Sequence, residues 1–256
     1  MTVTPGALAA LCAAALCAGT IDAIAGGGGL ITVPSLLWAG LPAQVAFGTN
    51  KGQSTFGSFS ALVNFYRLGA LDTRRAPAAF ALGFVGSAIG ATLLLKVPRE
   101  VLRPVVLALL VMVAAVLALR RNLGVADAAV DRPPPDNAAA RAAVISLTIG
   151  AYDGFFGPGT GTFLIIAAVT WLHESMARAT ANAKVVNFAS NLAALAVFAH
   201  KGVVRWDVAL PMAAAQFIGG ALGARLAVKR GDRFVRLVVL AATSALVAKL
   251  AWDLAR

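Results

Sequence analysis

The sequence predicts an all-α, polytopic integral membrane protein, with about eight transmembrane helices arranged as two repeats. Three observations predict it. Of the 256 residues 59% are hydrophobic and only 13% charged. Soluble domains carry about 25% charge, so a chain this apolar cannot clothe its surface with polar side chains and must use lipid as solvent. Apolar runs of about 20 residues, the length that crosses a bilayer, recur along the whole chain. The two halves also match one another at a fixed offset.

The spans fall at 6–24, 44–66, 76–95, 101–119, 141–156, 182–199, 207–228 and 234–252. The first lacks a basic segment before it, and no small-residue cleavage site at its end is followed by a polar mature protein, so it reads as a retained span rather than a signal peptide. Two further apolar runs, Leu30–Ala39 and Phe163–Leu172, are half-length. Each follows a glycine-rich break, Gly26-Gly27-Gly28-Gly29 and Gly157-Pro158-Gly159-Thr160-Gly161. Each reads as a helix that breaks inside the membrane and continues as a short second piece. Residues 120–140 include Arg132-Pro133-Pro134-Pro135, which cannot be helix interior. They form a linker between a first repeat, 1–119, and a second, 141–256.

At an offset of 133, Lys51 meets Lys184, Phe65 meets Phe198, Gly69 meets Gly202, and Gly86 and Gly90 meet Gly219 and Gly223. Upstream, Asp22 and Gly26 meet Asp153 and Gly157 at an offset of 131. Charges and glycines in register are harder to obtain by chance than matched alanines. Whether the repeats are parallel or inverted stays open at this level.

The net charge of +11 sits mostly in short gaps between apolar runs, as loops beside an anionic leaflet require. No basic stripe interleaved with aromatics is present, which argues against nucleic acid. Cys12 and Cys17 lie on different sides of a helix, and His173 and His200 are not clustered, so neither a disulfide nor a metal site is expected. No cofactor is expected.

The chemistry-bearing residues come in repeat-related sets. Asp22 and Asp153 lie four residues before a glycine break, where an ionised carboxylate is costly unless paired or hydrated. Either they are solvated at an interface or they balance charge or carry protons. Lys51 sits among Asn50, Gln53 and Ser54, and Lys184 between Asn182 and Asn187. The lysines could snorkel to the headgroups, but the amides form a helix face that lipid rejects. At the breaks, Gly26, Gly27, Gly28 and Gly29, and Gly157, Gly159, Thr160 and Gly161, free backbone N–H groups at the start of a half-helix, where anions are favoured. Gly86-x-x-x-Gly90 and Gly219-x-x-x-Gly223 are read instead as close helix packing. Together the sets suit a small anion held at the repeat interface.

Gly19-Thr20-Ile21-Asp22-Ala23-Ile24-Ala25-Gly26-Gly27-Gly28-Gly29 followed by Gly48-Thr49-Asn50-Lys51 resembles the TauE/SafE family of membrane permeases. Ala151-Tyr152-Asp153-Gly154-Phe155-Phe156-Gly157-Pro158-Gly159-Thr160-Gly161 resembles its second glycine motif, and Asn182-Ala183-Lys184 the partner segment. The resemblance covers nearly the whole chain. It implies export of sulfite or organosulfonates across the bacterial inner membrane by a multi-pass protein that is not an enzyme. Its partners would be the anion and the bilayer, with self-association left open. The halves are not identical: Gly27 is answered by Pro158, and Asn50 by Ala183. A cation or proton exchanger built on the aspartates is the alternative, but fixed lysine charge opposes it. An intramembrane aspartyl hydrolase fits less well, because no Gly-x-Gly-Asp motif is present. No phosphate-binding lysine loop is present to drive transport with ATP.

Overall fold

The structure, a computed structural model, describes residues 3–98, 108–109, 133 and 135–254. All secondary structure among the described residues is helical. The elements are α1 (Pro5–Ala25), α2 (Gly29–Trp38), α3 (Ala43–Arg67), α4 (Ala76–Lys96), α5 (Ala138–Phe155), α6 (Thr160–Leu172), α7 (Met176–His200) and α8 (Trp206–Leu254). Among the described residues, α1, α4, α7 and the Trp206–Val235 part of α8 are long and apolar enough to cross a membrane. All but residues 108–109 of the expected span at 101–119, and most of the 120–140 linker, lie outside the described residues, and helix already begins at Ala138. The spans expected at 207–228 and 234–252 fall in α8 as two helices that meet at Gly231, whose φ of +67° and ψ of −167° are not helical.

Local chemistry sets the helix ends. Thr4 caps α1 by accepting the Ala7 N–H at 3.3 Å, with Pro5 at the first position, where a missing N–H costs nothing. α1 stops at Gly26, whose φ of +73° leaves the helical region. Gly27, Gly157 and Gly159 also take positive φ, a conformation that side-chain-bearing residues resist.

The half-helices break off where the sequence predicts, but they do not continue onward. They double back. Leu36 of α2 shares one core cluster with Leu11 and Ala15 of α1, and Leu37 and Leu8 pack against that cluster. At the other break the Arg141 guanidinium, near the start of α5, donates to the Trp171 carbonyl at the end of α6 at 3.0 Å. A segment of ten residues spans about 15 Å, half a hydrocarbon core, so the chain re-emerges on the side it entered.

This fixes two ends of the bundle. At one end lie the start of α1, the α2–α3 turn and the end of α4, where the Gln44 amide reaches the Val97 carbonyl at 3.5 Å. The α7–α8 turn joins them, with the Arg205 N–H on Thr49 Oγ1 at 3.1 Å. At the other end lie the α3–α4 and α6–α7 turns, tied by the Asp72 N–H on Asn182 Oδ1 at 2.8 Å and by Arg75 to Glu174 at 3.2 Å. The bend of α8 is there too, where Asp232 Oδ1 accepts the Ala177 N–H at 2.7 Å. So α1 enters from one end and α5 from the opposite one, and α3 and α7 run antiparallel through the centre.

Close packing follows the glycines. A Cβ on Gly86 or Gly90 of α4 would strike the Leu147 or Ala151 carbonyl of α5, and one on Gly219 or Gly223 of α8 the Leu16 or Thr20 carbonyl of α1. The Gly-x-x-x-Gly pairs therefore let backbones touch, as read from the sequence. The outer surface is apolar: Val85, Ile89 and Leu93 on α4 and Leu210, Ile218 and Leu222 on α8 are exposed. Trp38 and Trp171, 91% and 53% exposed, stand at opposite ends, where aromatic side chains mark membrane interfaces. Polar residues turn inward instead. Thr49, Asn50, Lys51, Gln53, Ser54, Thr55, Ser58 and Ser60 of α3 are all buried, while its Phe56 and Phe59 face out.

Candidate functional site

Lys51 and Lys184 sit equally far into α3 and α7, roughly 12 Å from where each helix starts at a rise of about 1.5 Å per residue. Neither snorkels. Their relative exposures are 2% and 0%. An ammonium at such depth requires an anionic partner, and each finds one in the other half of the chain. Lys51 Nζ lies 2.8 Å from Asp153 Oδ2, and Lys184 Nζ lies 2.9 Å from Asp22 Oδ2. The pairs are crossed, each lysine held by the carboxylate beside the other glycine break.

Further bonds complete each half-site. Lys51 also donates to Asn191 Oδ1 at 3.0 Å, and Asp153 Oδ2 also accepts the Ser190 hydroxyl at 2.5 Å. Lys184 also donates to the Asp22 backbone carbonyl, and Asp22 Oδ1 accepts the Gly28 N–H at 3.1 Å. The half-sites differ: Asp153 is buried at 3%, whereas the Asp22 side chain keeps 17% exposure.

The two breaks meet. A Cβ on Gly26 would collide with the Gly161–Thr162 peptide. Thr162 Oγ1 donates across the junction to the Ala25 carbonyl at 3.0 Å, and Thr180 Oγ1 to the Ile24 carbonyl at 3.2 Å. Around this contact lies a chamber of about 20 Å³, room for about one water molecule. Its walls are Asp22, Gly27, Gly29, Asn50, Lys51, Ser54, Asp153, Gly157, Thr160, Gly161 and Asn187, joined by Asn191 and Gln216. Gly29 and Thr160 are the first residues of α2 and α6, so two helix starts, whose first-turn N–H groups have no intrahelical acceptor, open on one chamber.

The remaining singled-out residues stand behind the walls, apart from one. Gly26 makes the break-to-break contact, Gly28 holds Asp22, and Gly159 precedes α6 with φ +86°. Gln53 donates to Asn50 Oδ1 at 2.9 Å, beside Thr32, which donates to the same oxygen at 2.6 Å. Lys184 closes the wall through Asp22. Asn182 does not belong to the site. Two residues from Lys184 on a helix, it points to a different side, and it binds Asp72 and Glu174 in the end turn.

Sequence reasoning missed Asn191, Ser190 and Gln216. Asn191 follows Lys184 and Asn187 at spacings of seven and four, which is one helix face, so the signal was available. Gln216 is a lone amide in an apolar span, itself a functional flag in a membrane helix. The side-chain oxygens of Gln216 and Gln53 are buried without a hydrogen-bond donor among the described residues.

Comparison with known proteins bears on this arrangement. The family model described as "Sulfite exporter TauE/SafE" matches residues 11–250. The chain is 38% identical over 250 residues to the probable membrane transporter protein ORF9 of Sinorhizobium sp, covering 96% of this chain and 93% of that protein. It is 36% identical over 251 residues to the probable membrane transporter protein YfcA of Escherichia coli (strain K12), covering 98% and 92%. It is also 36% identical over 246 residues to a probable membrane transporter protein of Haemophilus influenzae, covering 96% and 95%. No solved structure matches the chain. With apolar helices long enough to span a bilayer and a match from end to end, the chain belongs to the TauE/SafE family of membrane transporters.

Proposed function

We propose that the chain is a secondary permease for small oxyanions, sulfur oxyanions such as sulfite or organosulfonates foremost. It works by alternating access in the bacterial inner membrane and uses no ATP of its own. The observation that carries this reading is the pair of buried, crossed lysine–aspartate contacts around one chamber onto which two helix starts open. Fixed ammonium charge and first-turn N–H groups together make an anion site, and a cation site would not add two lysines. The family description, "Sulfite exporter TauE/SafE", supports sulfur oxyanions as the first substrates to try.

The same reading makes residues 1–119 and 141–256 two inverted repeats about the 120–140 linker. Support comes from the antiparallel course of α3 and α7 and from matched contacts. The Asp72 N–H on Asn182 is answered by the Arg205 N–H on Thr49, both pairs separated by the 133-residue offset. Inverted repeats that meet at broken helices near mid-membrane give two gates related by one pseudo-axis, a common plan for alternating access.

The test is flux of labelled sulfite, sulfate, thiosulfate and methanesulfonate into proteoliposomes. Lys51→Gln paired with Asp153→Asn, and Lys184→Gln paired with Asp22→Asn, remove one charge pair each without stranding a buried ion. Each pair is expected to cut flux at least tenfold. Parental flux in both would leave the lysines structural and sink the anion reading.

A further inference from the structure

We infer that each anion crosses together with protons, one for each negative charge it carries, and that Asp22 and Asp153 are the groups that take them up. This rests on the anion reading and names the co-substrate of the same site.

Charge and volume lead to it. The site holds two ammoniums and two carboxylates in contact, so its formal charge is already balanced. Lys51 and Lys184 each donate both to a carboxylate and to a second oxygen, which uses two of an ammonium's three N–H donors. The chamber of about 20 Å³ has room for about one water, less than a tetrahedral or pyramidal oxyanion requires. An incoming anion therefore competes with a carboxylate for its lysine. One buried ammonium balances one negative charge, so an anion that displaces the carboxylate leaves a second charge uncompensated, and a proton on the displaced carboxylate restores the balance. The step is Asp–COO⁻ plus H⁺ giving Asp–COOH, while the ammonium's hydrogen bond passes to the anion. No other bond is made or broken, and the site stays neutral.

The surroundings admit that proton. Among the described residues, the charged or titratable groups facing the two carboxylates are Lys51 from α3, Lys184 from α7 and Tyr152, beside Asp153 on its own helix and bonded to the Pro158 carbonyl. From α2, α6 and α8 only backbone N–H groups, a threonine and the Gln216 amide approach. A newly formed O–H in so dry a place needs an acceptor. The Gln216 side-chain oxygen, buried in the same chamber with no donor of its own, is an unfilled one.

Electroneutral co-transport has a directional consequence. A pH gradient drives the anion toward the alkaline side, and the membrane potential does nothing. Net export then requires an outward anion gradient steep enough to exceed the proton gradient.

The experiment has two arms. In weakly buffered detergent solution near neutral pH, methanesulfonate or sulfate is added to purified protein, and proton uptake is read with a pH indicator. Both anions hold their charge at that pH, so any proton taken up belongs to the protein. About one proton per methanesulfonate and two per sulfate are expected. Asp153→Asn and Asp22→Asn should each remove one proton and tighten anion binding several-fold, because a competing carboxylate has gone. In proteoliposomes, flux should follow an imposed pH gradient and ignore a valinomycin potential. Binding without proton uptake, or flux driven by potential alone, overturns the coupling and leaves the anion permease standing. Failure of both anions and of sulfite to bind or move overturns the permease reading and the coupling with it.

Discussion

At the scale of single residues, the lysine–aspartate pairs are expensive. Taking two ions from water costs several kcal/mol each even when they meet, and Lys51 and Asp153 are both almost fully buried. Breaking such a pair from one side strands the other ion, so Lys51→Gln alone should lower stability by about 3–5 kcal/mol. Replacing both by Lys51→Gln and Asp153→Asn should restore most of it without restoring flux. Thermal unfolding in detergent compares the two variants; equal melting temperatures would mean that the pair carries no coupling. Lys51→Arg should recover flux only in part, since a planar guanidinium presents its donors differently. The glycine at the break is a second residue-scale constraint. Gly26 has positive φ and lies against the Gly161–Thr162 peptide, so Gly26→Ala adds overpacking of about 1–3 kcal/mol to left-handed strain of about 1–2 kcal/mol. Gly69 also has positive φ, but open space surrounds it, and Gly69→Ala should cost only the strain. Melting temperatures of the two alanine variants settle the comparison; equal losses would mean that the break-to-break contact is loose.

At the scale of elements, α3 and α7 carry lysines, amides and hydroxyls into the centre of the bundle, because the bilayer rejects such groups. Their outer turns differ between the two ends. At one end Leu36, Leu41, Val208 and Met212 pack as an apolar plug. At the other the corner is polar, with Glu174 bonded to Arg75 at 3.2 Å and to Asn182 at 2.9 Å. Burial holds the Glu174 carboxyl above its ordinary 4.5, with Asn182 and Arg75 acting in the opposite direction. A carboxyl with a raised folded pKa binds its proton more tightly folded than unfolded. Its contribution to stability is therefore greatest below the ordinary value and is lost as pH rises through the raised one. Glu174→Gln should flatten the melting temperature between about pH 4.5 and neutral relative to the parent. Parallel curves for the two proteins would show that Glu174 binds its proton equally in the folded and unfolded states.

At the scale of the whole molecule, charge sets the orientation in the membrane. Among the described residues, Arg67, Arg74, Arg75, Arg178, Arg230 and Arg233 gather at the end that holds the α3–α4 and α6–α7 turns, against Lys96, Lys201 and Arg205 at the other. Positive loops remain cytoplasmic, so the start of α1 should face the outside. In a background with Cys12 and Cys17 replaced by serine, Lys201→Cys should react with an impermeant maleimide in spheroplasts. Thr73→Cys should react only after permeabilisation. The reverse pattern would invert the assignment.

The sequence by itself determined the solvent, the helical class and the residues at issue. Apolar runs of bilayer length leave no other solution than helices in lipid. Asp22, Asp153, Lys51 and Lys184 announce themselves, because an ion inside such a run is costly enough to require a reason. Asn50 and Ser54 line the chamber with Lys51, whereas Asn182 binds Asp72 and Glu174, because a step of two residues turns a side chain away from its neighbour's face. What only the tertiary structure decided is which ion meets which. Lys51 pairs with Asp153 and not with Asp22, and the half-helices fold back instead of running on. Those choices depend on the relative direction of α1 and α5 and on backbones meeting at Gly26 and Gly161. They are contacts between residues more than a hundred apart in the chain, and local periodicity carries no information about them.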